Sequence, residues 1–459
     1  EADPARRYEK GGLMLWPMTA MRDSSGALRI ADVSLSELAD TYDTPLYVFD
    51  TATIREQCRR YCRAFADAWV RPRVVYAGKA GMSRALLEII ADEGLWLDVV
   101  SGGELAYALA CGFPAHRIHF HGNNKTAAEL RLALDSRIDT VVVDNFDEID
   151  MLAELAAGRP QPQAVLVRVN PGIDVHTHDY RKTGIPDSKF GLGIQNGQAE
   201  EAVRRIQRIP GLQLNGFHAH VGSQIFEIDP FVDTVETLFG FAAQMRDAHG
   251  VEIGEISPGG GLGIPYEATD PDTRVEEYVA ALAACARESS AQYGISPPVL
   301  TIEPGRTIVG QAGVAVYTIG ARKEIPGVRT YVSVDGGMAD NIRPALYGAA
   351  YTAELVGRPS EGDLAAVTIA GKYCESGDIL IERVALPPFA RGDYLAIPAA
   401  GAYCLAMASN YNQSLRPAVV FVEDGESRLT QRRETVDDLL RRDIDDAPPP
   451  SAVTREAPG

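Results

Sequence analysis

From about residue 45 to residue 310 the chain alternates short β-rich runs with amphipathic helical stretches, and this rhythm constrains the fold more than any other feature. Candidate strands fall at Leu46–Phe49, Arg73–Tyr76, Leu97–Val100, Ile118–Phe120, Thr140–Val143, Ala164–Val169, Leu214–His220, Glu255–Ser257 and Val299–Ile302. Helical patterns such as Ser83–Glu93, Gly103–Cys111, Ala127–Asp135 and Arg274–Tyr293 separate them. Repeated βαβ units of this number and length predict an α/β fold, a TIM-like (β/α)8 barrel, with a doubly wound sheet as the alternative.

Past Gly310 the pattern changes to short strand-like segments, Gly313–Ile319, Thr330–Val334, Asp363–Ala370, Ile379–Leu386, Asp393–Pro398 and Ala418–Glu423, with Gly, Pro and Asp between them. That composition predicts a C-terminal all-β domain. The expected organisation is an N-terminal segment (1–45) pairing with the β domain, a barrel (46–310), the β domain (311–445) and a disordered acidic, proline-rich tail (446–459). No internal repeat is present.

The 44 basic and 63 acidic residues leave a formal charge of −19, which disfavours nucleic acid and anionic membrane as partners. No stretch reaches the roughly 18 apolar residues of a membrane span, and the start Glu1-Ala2-Asp3 is unlike a signal peptide. Six cysteines are too sparse for a disulfide framework, so the expected compartment is the cytoplasm. Three His-x-His pairs (His119/His121, His176/His178, His218/His220) each put two imidazoles on one strand face, but no Cys or acidic cluster accompanies all three. The expectation is no metal.

Lysine is scarce, seven residues against 37 arginines, yet Lys79 follows the apolar run Val74-Val75-Tyr76-Ala77. Arginine stays protonated; lysine can become a neutral amine and condense with a carbonyl. A lysine snorkelling from a strand end is the plainer reading of that segment alone. Other polar groups gather at the C-terminal ends of candidate strands, the face on which barrels build active sites. They are Asp98, His220 with Ser223 behind it, the run Ser257-Pro258-Gly259-Gly260-Gly261, and Glu303-Pro304-Gly305-Arg306. Glycines let backbone N–H groups approach a phosphate, a carboxylate such as Glu303 can hold a proton on a pyridine nitrogen, and His220 is a flat partner for a ring. Amine, phosphate cradle, aromatic partner and carboxylate together fit pyridoxal 5′-phosphate.

With these residues assembled, the chain from about Leu46 to Asp443 resembles diaminopimelate decarboxylase, of the barrel family that includes alanine racemase and ornithine decarboxylase. The resemblance rests on YAGKA (76–80), DVVSGGEL (98–105), HGNNKT (121–126), HAHVGSQI (218–225), PGGGLGI (258–264), EPGR (303–306), DGGMADNIRPALYGA (335–349), CESGDIL (374–380) and GAYC (401–404). It implies decarboxylation of meso-2,6-diaminopimelate to L-lysine, with Lys79 bonded to the cofactor, His220 stacked on the ring and Glu303 at the ring nitrogen. It further implies Ser223, Gly260, Gly261 and the backbone around Arg306 at the phosphate, with Asp98, Pro304, Gly305 and Tyr403 completing the cofactor site. Arg306, Arg343, Tyr347, Glu375 and Tyr403 match substrate contacts, and Cys374 matches the proton donor. In the family Cys374 comes from the other subunit, which implies a homodimer with shared sites. Two positions depart from the family pattern: Gly78, where Ser is usual, and the apolar Leu405-Ala406-Met407.

Other readings are a related decarboxylase for another diamino or carboxylated amino acid, a racemase, and a non-catalytic cofactor-binding barrel. The CESGD and RPALYG motifs speak against a racemase. The β domain and Cys374 within it speak against a single-domain carrier.

Overall fold

Strands covered on both faces read as continuous apolar runs, and Val74, Val75, Tyr76 and Ala77 are all buried. The computed structural model describes residues 15–173 and 188–444; His176, His178 and the acidic tail lie outside the described residues. Strand β1 (Leu46–Asp50) precedes eight parallel strands: β2 (Pro72–Ala77), β3 (Trp96–Val99), β4 (Ile118–Phe120), β5 (Thr140–Val143), β6 (Gln163–Asn170), β7 (Leu212–His218), β8 (Glu255–Ser257) and β9 (Val299–Ile302). Each pairs with the next, and β9 returns to β2 through Leu300↔Pro72, Thr301↔Arg73 and Ile302↔Val74, closing the expected (β/α)8 barrel. Several helices open on side-chain caps just past a barrel strand: Ser83 on Leu86 N, Ser101 on Glu104 N, Asn145 on Glu148 N. Such caps satisfy backbone donors that the helix cannot, and they fix the loops at the barrel mouth.

The second domain is a sheet of β10 (Gly313–Ile325), β11 (Arg329–Val334), β12 (Ala365–Ala370), β13 (Ile379–Leu386), β14 (Tyr394–Ile397), β15 (Ala418–Glu423) and β16 (Glu426–Gln431). Its order is β13-β12-β11-β10-β1-β15-β16, with β14 also on β10. This corrects the sequence expectation for Leu46–Phe49. The strand forms, but in this sheet, antiparallel to β10 (Val48↔Val314) and parallel to β15 (Val48↔Val420). All five of its residues are buried, so its apolar run looks like a barrel strand while its partners lie far along the chain. The barrel begins with the helix Thr51–Ala68.

The N-terminal segment also differs from expectation. Met21–Arg22, Leu28–Ile30 and Val33–Ser34 form their own antiparallel sheet. It joins the β domain through packing of Leu28, Ile30 and Leu35 with Leu46, Val48 and Val314, and through Leu28 N donating to Val356 O at 2.8 Å. Among the described residues, no helix is long and apolar enough to cross a membrane.

Two backbone bonds bring the β domain to the barrel mouth. Gly401 N donates to Gly310 O at 3.0 Å and Tyr403 N to Ala80 O at 2.7 Å, so the loop carrying Tyr403 is tied to the turn carrying Lys79.

Candidate active site

Lys79 sits on a single 3-10 turn, Gly78–Ala80, where β2 ends. A Cβ on Gly78 would lie 2.7 Å from the Asp98 carbonyl oxygen, so the bare glycine lets this turn rest against the end of β3. Lys79, Asp98, His220, Ser223, Glu303, Arg306 and Tyr403 border two adjoining hollows, a small one and a larger, more open one. Gly260, Gly261, Pro304 and Gly305 line the smaller, and Arg343 and Tyr347 the larger.

Glu303, one residue past β9, is buried and doubly held: Ser257 Oγ donates to Oε1 at 2.9 Å, and His218 Nε2 to Oε2 at 3.0 Å. Burial alone would raise its carboxyl, but the imidazoles around it, His218 foremost and then His121, outweigh burial and keep it well below the usual carboxylate range. Asp98 moves the other way: burial and then the Glu303 charge push its carboxyl well up. β7 ends at His218, two residues earlier than expected, and His220 stands beyond it with Nδ1 accepting from Gly260 N at 3.4 Å. Burial, then the Lys79 charge, drives the proton off His220, leaving a neutral imidazole.

The glycine run is built for close approach. A Cβ on Gly260 would lie 2.0 Å from the Glu303 carbonyl oxygen, and one on Gly261 would lie 2.2 Å from that of Gly222. Beside it, Arg306 Nη2 donates to Ser223 Oγ at 2.9 Å and Nη1 to Tyr266 Oη at 2.7 Å, while Arg306 Nε and Asp98 Oδ1 are buried with no hydrogen-bond partner. A side-chain-free cradle, a guanidinium and an ionised carboxylate across the hollow from an amine fit pyridoxal phosphate. Gly260, Gly261, Ser223 and the backbone at Gly305-Arg306 would take the phosphate, Glu303 the ring nitrogen, His220 the ring face and Lys79 the aldehyde carbon.

Arg343 is buried on the short helix Arg343–Tyr347 and bonds Tyr351 Oη. The structure does not bring Cys374 and Glu375 into either hollow. Cys374 is exposed, its N donating to Asn412 Oδ1 at 3.3 Å, and Glu375 Oε1 accepts from Gly377 N within its own loop. Asp378 anchors that loop by accepting from Tyr373 N at 2.9 Å and Met338 N at 2.7 Å.

Sequence reasoning missed His121, His218 and Tyr266 as site residues, and named Ser257 only as the start of the glycine run. The histidines were visible as members of His-x-His pairs and weighed only as metal ligands. His121, His218 and Glu303 do bring ligand atoms within 4.8 Å of one another, and the His218–Glu303 hydrogen bond lies inside that group.

A closed parallel barrel with this amine, carboxylate and glycine cradle at its C-terminal mouth defines a pyridoxal-phosphate enzyme. Residues 51–310 match the family model described as pyridoxal-dependent decarboxylase, pyridoxal binding domain. The chain is 48% identical to diaminopimelate decarboxylase of Bacillus subtilis (strain 168) over 426 residues, 93% of this chain and 97% of that protein. It superposes on a crystal structure of diaminopimelate decarboxylase from M. jannaschii with a TM-score of 0.88 at 32% identity, over 94% of this chain and 99% of the other. A co-complex of that enzyme with L-lysine gives 0.86 at 33%, over 94% and 98%. The chain belongs to the diaminopimelate decarboxylase family of pyridoxal-phosphate decarboxylases.

Proposed function

We propose that this chain removes one carboxylate from meso-2,6-diaminopimelate, yielding L-lysine and CO2, the last step of lysine biosynthesis. The observation that carries the reading is that the hollow holding Lys79 and Glu303 also holds three buried guanidinium groups, Arg168, which lies beside the Asp144 carboxylate, and Arg306 and Arg343. Among the described residues neither Arg306 nor Arg343 forms an ion pair with a carboxylate; their guanidinium groups bond the hydroxyls of Ser223, Tyr266 and Tyr351. Buried cations without counter-ions call for an anionic ligand, and the distal carboxylate of the substrate supplies one.

Bound pyridoxal phosphate supplies the electron sink that makes loss of CO2 feasible. Lys79 would hold it at the aldehyde carbon, Glu303 would keep a proton at its ring nitrogen, and His220 would pack against its face. Tyr403 lies against Arg306, guanidinium to ring centroid 4.7 Å, and holds that cation at the edge of both hollows.

The working unit in this reading is a homodimer, in which Cys374 of one subunit delivers the proton to the carbon that lost CO2 and Glu375 binds the distal ammonium. Its support is the exposure of Cys374 outside the hollows of its own chain. We place the enzyme in the cytoplasm, where six free thiols are stable.

Purified protein loaded with pyridoxal phosphate and given the separated diaminopimelate stereoisomers tests the assignment. L-lysine and CO2 should come from the meso form alone; turnover of another diamino acid in its place overturns it.

A further inference from the structure

Tyr266 lies beyond the glycine run, in a loop with no regular structure, yet it is one of the most firmly placed side chains at the barrel mouth. Gln224 clamps the residue two before it, its Nε2 donating to Ile264 O at 2.6 Å and its Oε1 accepting from Ile264 N at 3.3 Å. Asp270 Oδ2 accepts from Tyr266 N at 2.8 Å. The side chain is 5% exposed, and its ring meets that of Tyr351 edge to face at 5.2 Å.

This rigid phenol touches two of the arginines that line the larger hollow, Arg306 and Arg343, in different ways. Its hydroxyl accepts from Arg306 Nη1 at 2.7 Å. Its ring face lies 4.6 Å from the guanidinium carbon of Arg343. Arg306 and Arg343 are 8% and 3% exposed and come from opposite domains, one just past β9 and the other from the β domain. Two like charges held so close repel one another, and in a low-dielectric site they stay together only if polar or aromatic groups spread and hold them. Tyr266 provides both kinds of contact from one ring.

We propose that Tyr266 is a positioning residue that holds Arg306 and Arg343 as a single anion-binding pair and so makes the site select a ligand carrying a carboxylate at its distal end. The inference rests on the decarboxylase reading and deepens it by assigning the selectivity to a residue that need not touch the reacting atoms.

The test uses holoenzyme and two ligands that differ in the distal carboxylate: L-lysine, which keeps it, and 1,5-diaminopentane, which lacks it. Binding of each to wild type, Tyr266→Phe and Tyr266→Leu is measured by calorimetry, with thermal midpoints to confirm folding. Tyr266→Phe should weaken L-lysine about tenfold, as expected for one lost hydrogen bond to a charged group. Tyr266→Leu, which also removes the aromatic face under Arg343, should weaken it further. Affinity for 1,5-diaminopentane should change less than about twofold in both, and KM for meso-diaminopimelate should rise in the same order while kcat stays within about twofold. Equal losses for the two ligands, or an unchanged L-lysine affinity, overturn the proposal. A wild type that binds L-lysine but does not turn over diaminopimelate overturns the functional reading instead, and the two-ligand comparison still decides the role of Tyr266.

Discussion

Glu303 and His218 form a buried pair, Oε2 to Nε2 at 3.0 Å, and this contact favours the ionised form of the carboxylate that we assign to the cofactor ring. Burial works against ionisation; the imidazoles around the carboxylate, His218 foremost by charge and N–H and then His121, overcome it. A carboxyl lowered in this way stays ionised as the medium is acidified, until the pH falls through its lowered pKa. Removing the donor in His218→Leu should raise the Glu303 pKa. A charged hydrogen bond contributes about 1.5–3 kcal/mol, or roughly one to two pH units. The acid limb of the kcat/KM profile should therefore move to higher pH by about that much, and His218→Gln, which keeps an N–H donor but not the charge, should restore only part of it. A limb that does not move in His218→Leu removes His218 from this role.

His121 gives a separate pH signature. Burial drives its pKa well down, with the neighbouring His218 and His119 acting in the same direction and Glu303 against them. The unfolded chain takes up a proton near pH 6.5 that the folded chain refuses, so stability is fully present above that pH and lost as pH falls below it. Asp98, with its raised carboxyl, contributes with the opposite sign. The wild type should thus lose its advantage over His121→Gln by up to about 1.4 kcal/mol per pH unit below pH 6.5. Urea unfolding of the two proteins across pH 7.5 to 5.5 checks it, and a constant gap rules it out.

Gly260 should tolerate no side chain. Its Cβ would sit 2.0 Å from the Glu303 carbonyl oxygen, so Gly260→Ala has to displace either the cradle or the end of β9. Overpacking of this kind costs about 1–3 kcal/mol, and here the displacement falls on the glycine cradle that we assign to the phosphate. The variant should bind pyridoxal phosphate at least about tenfold more weakly, read by absorbance titration of the apoprotein. Gly357→Ala, at a position with nothing within 4 Å, is the control and should behave as wild type.

Lys125 is a buried cation that the chemistry does not use. It donates to Glu148 Oε1 at 2.6 Å, Val142 O at 2.7 Å and Gly122 O at 2.9 Å, tying the loop after β4 to β5 and the following helix. Lys125→Met leaves Glu148 buried and unpaired, which should destabilise by about 3–5 kcal/mol. Adding Glu148→Leu removes the stranded charge and should recover at least half of that loss in the urea midpoint. No recovery in the double variant places the damage in the two lost carbonyl contacts.

The barrel was legible because a parallel strand buried on both faces leaves an apolar run in the sequence, and all eight such runs from Arg73 to Ile302 found their places. Leu46–Asp50 carries the same run for the same reason, but partners at Val314 and Val420 lie too far along the chain for local pattern to reveal which sheet it joins. Lys79, Glu303 and the glycines could be found because each falls where a strand ends, next to residues that punctuate the chain. His218 and Tyr266 could not. Their roles depend on meeting Glu303, 85 residues away, and Arg306, 40 residues away, and no spacing within one strand or loop encodes those contacts.

The last prediction separates a shared site from a self-contained one. Cys374 is exposed in a loop that Asp378 and Asn412 hold against the β domain, outside the hollow that Lys79 borders. If each site takes Lys79 from one subunit and Cys374 from the other, the inactive variants Lys79→Ala and Cys374→Ala should complement when mixed. In a mixed dimer one site inherits both defects and its partner site neither. Half of the dimers are mixed after random exchange, so activity should return to about one quarter of wild type. Were both residues drawn from the same chain, every site would carry one defect and the mixture would stay inactive. Exchange is verified by co-purification of differently tagged subunits, and an exchanged but inactive mixture refutes the shared site while leaving the decarboxylase reading to its own test.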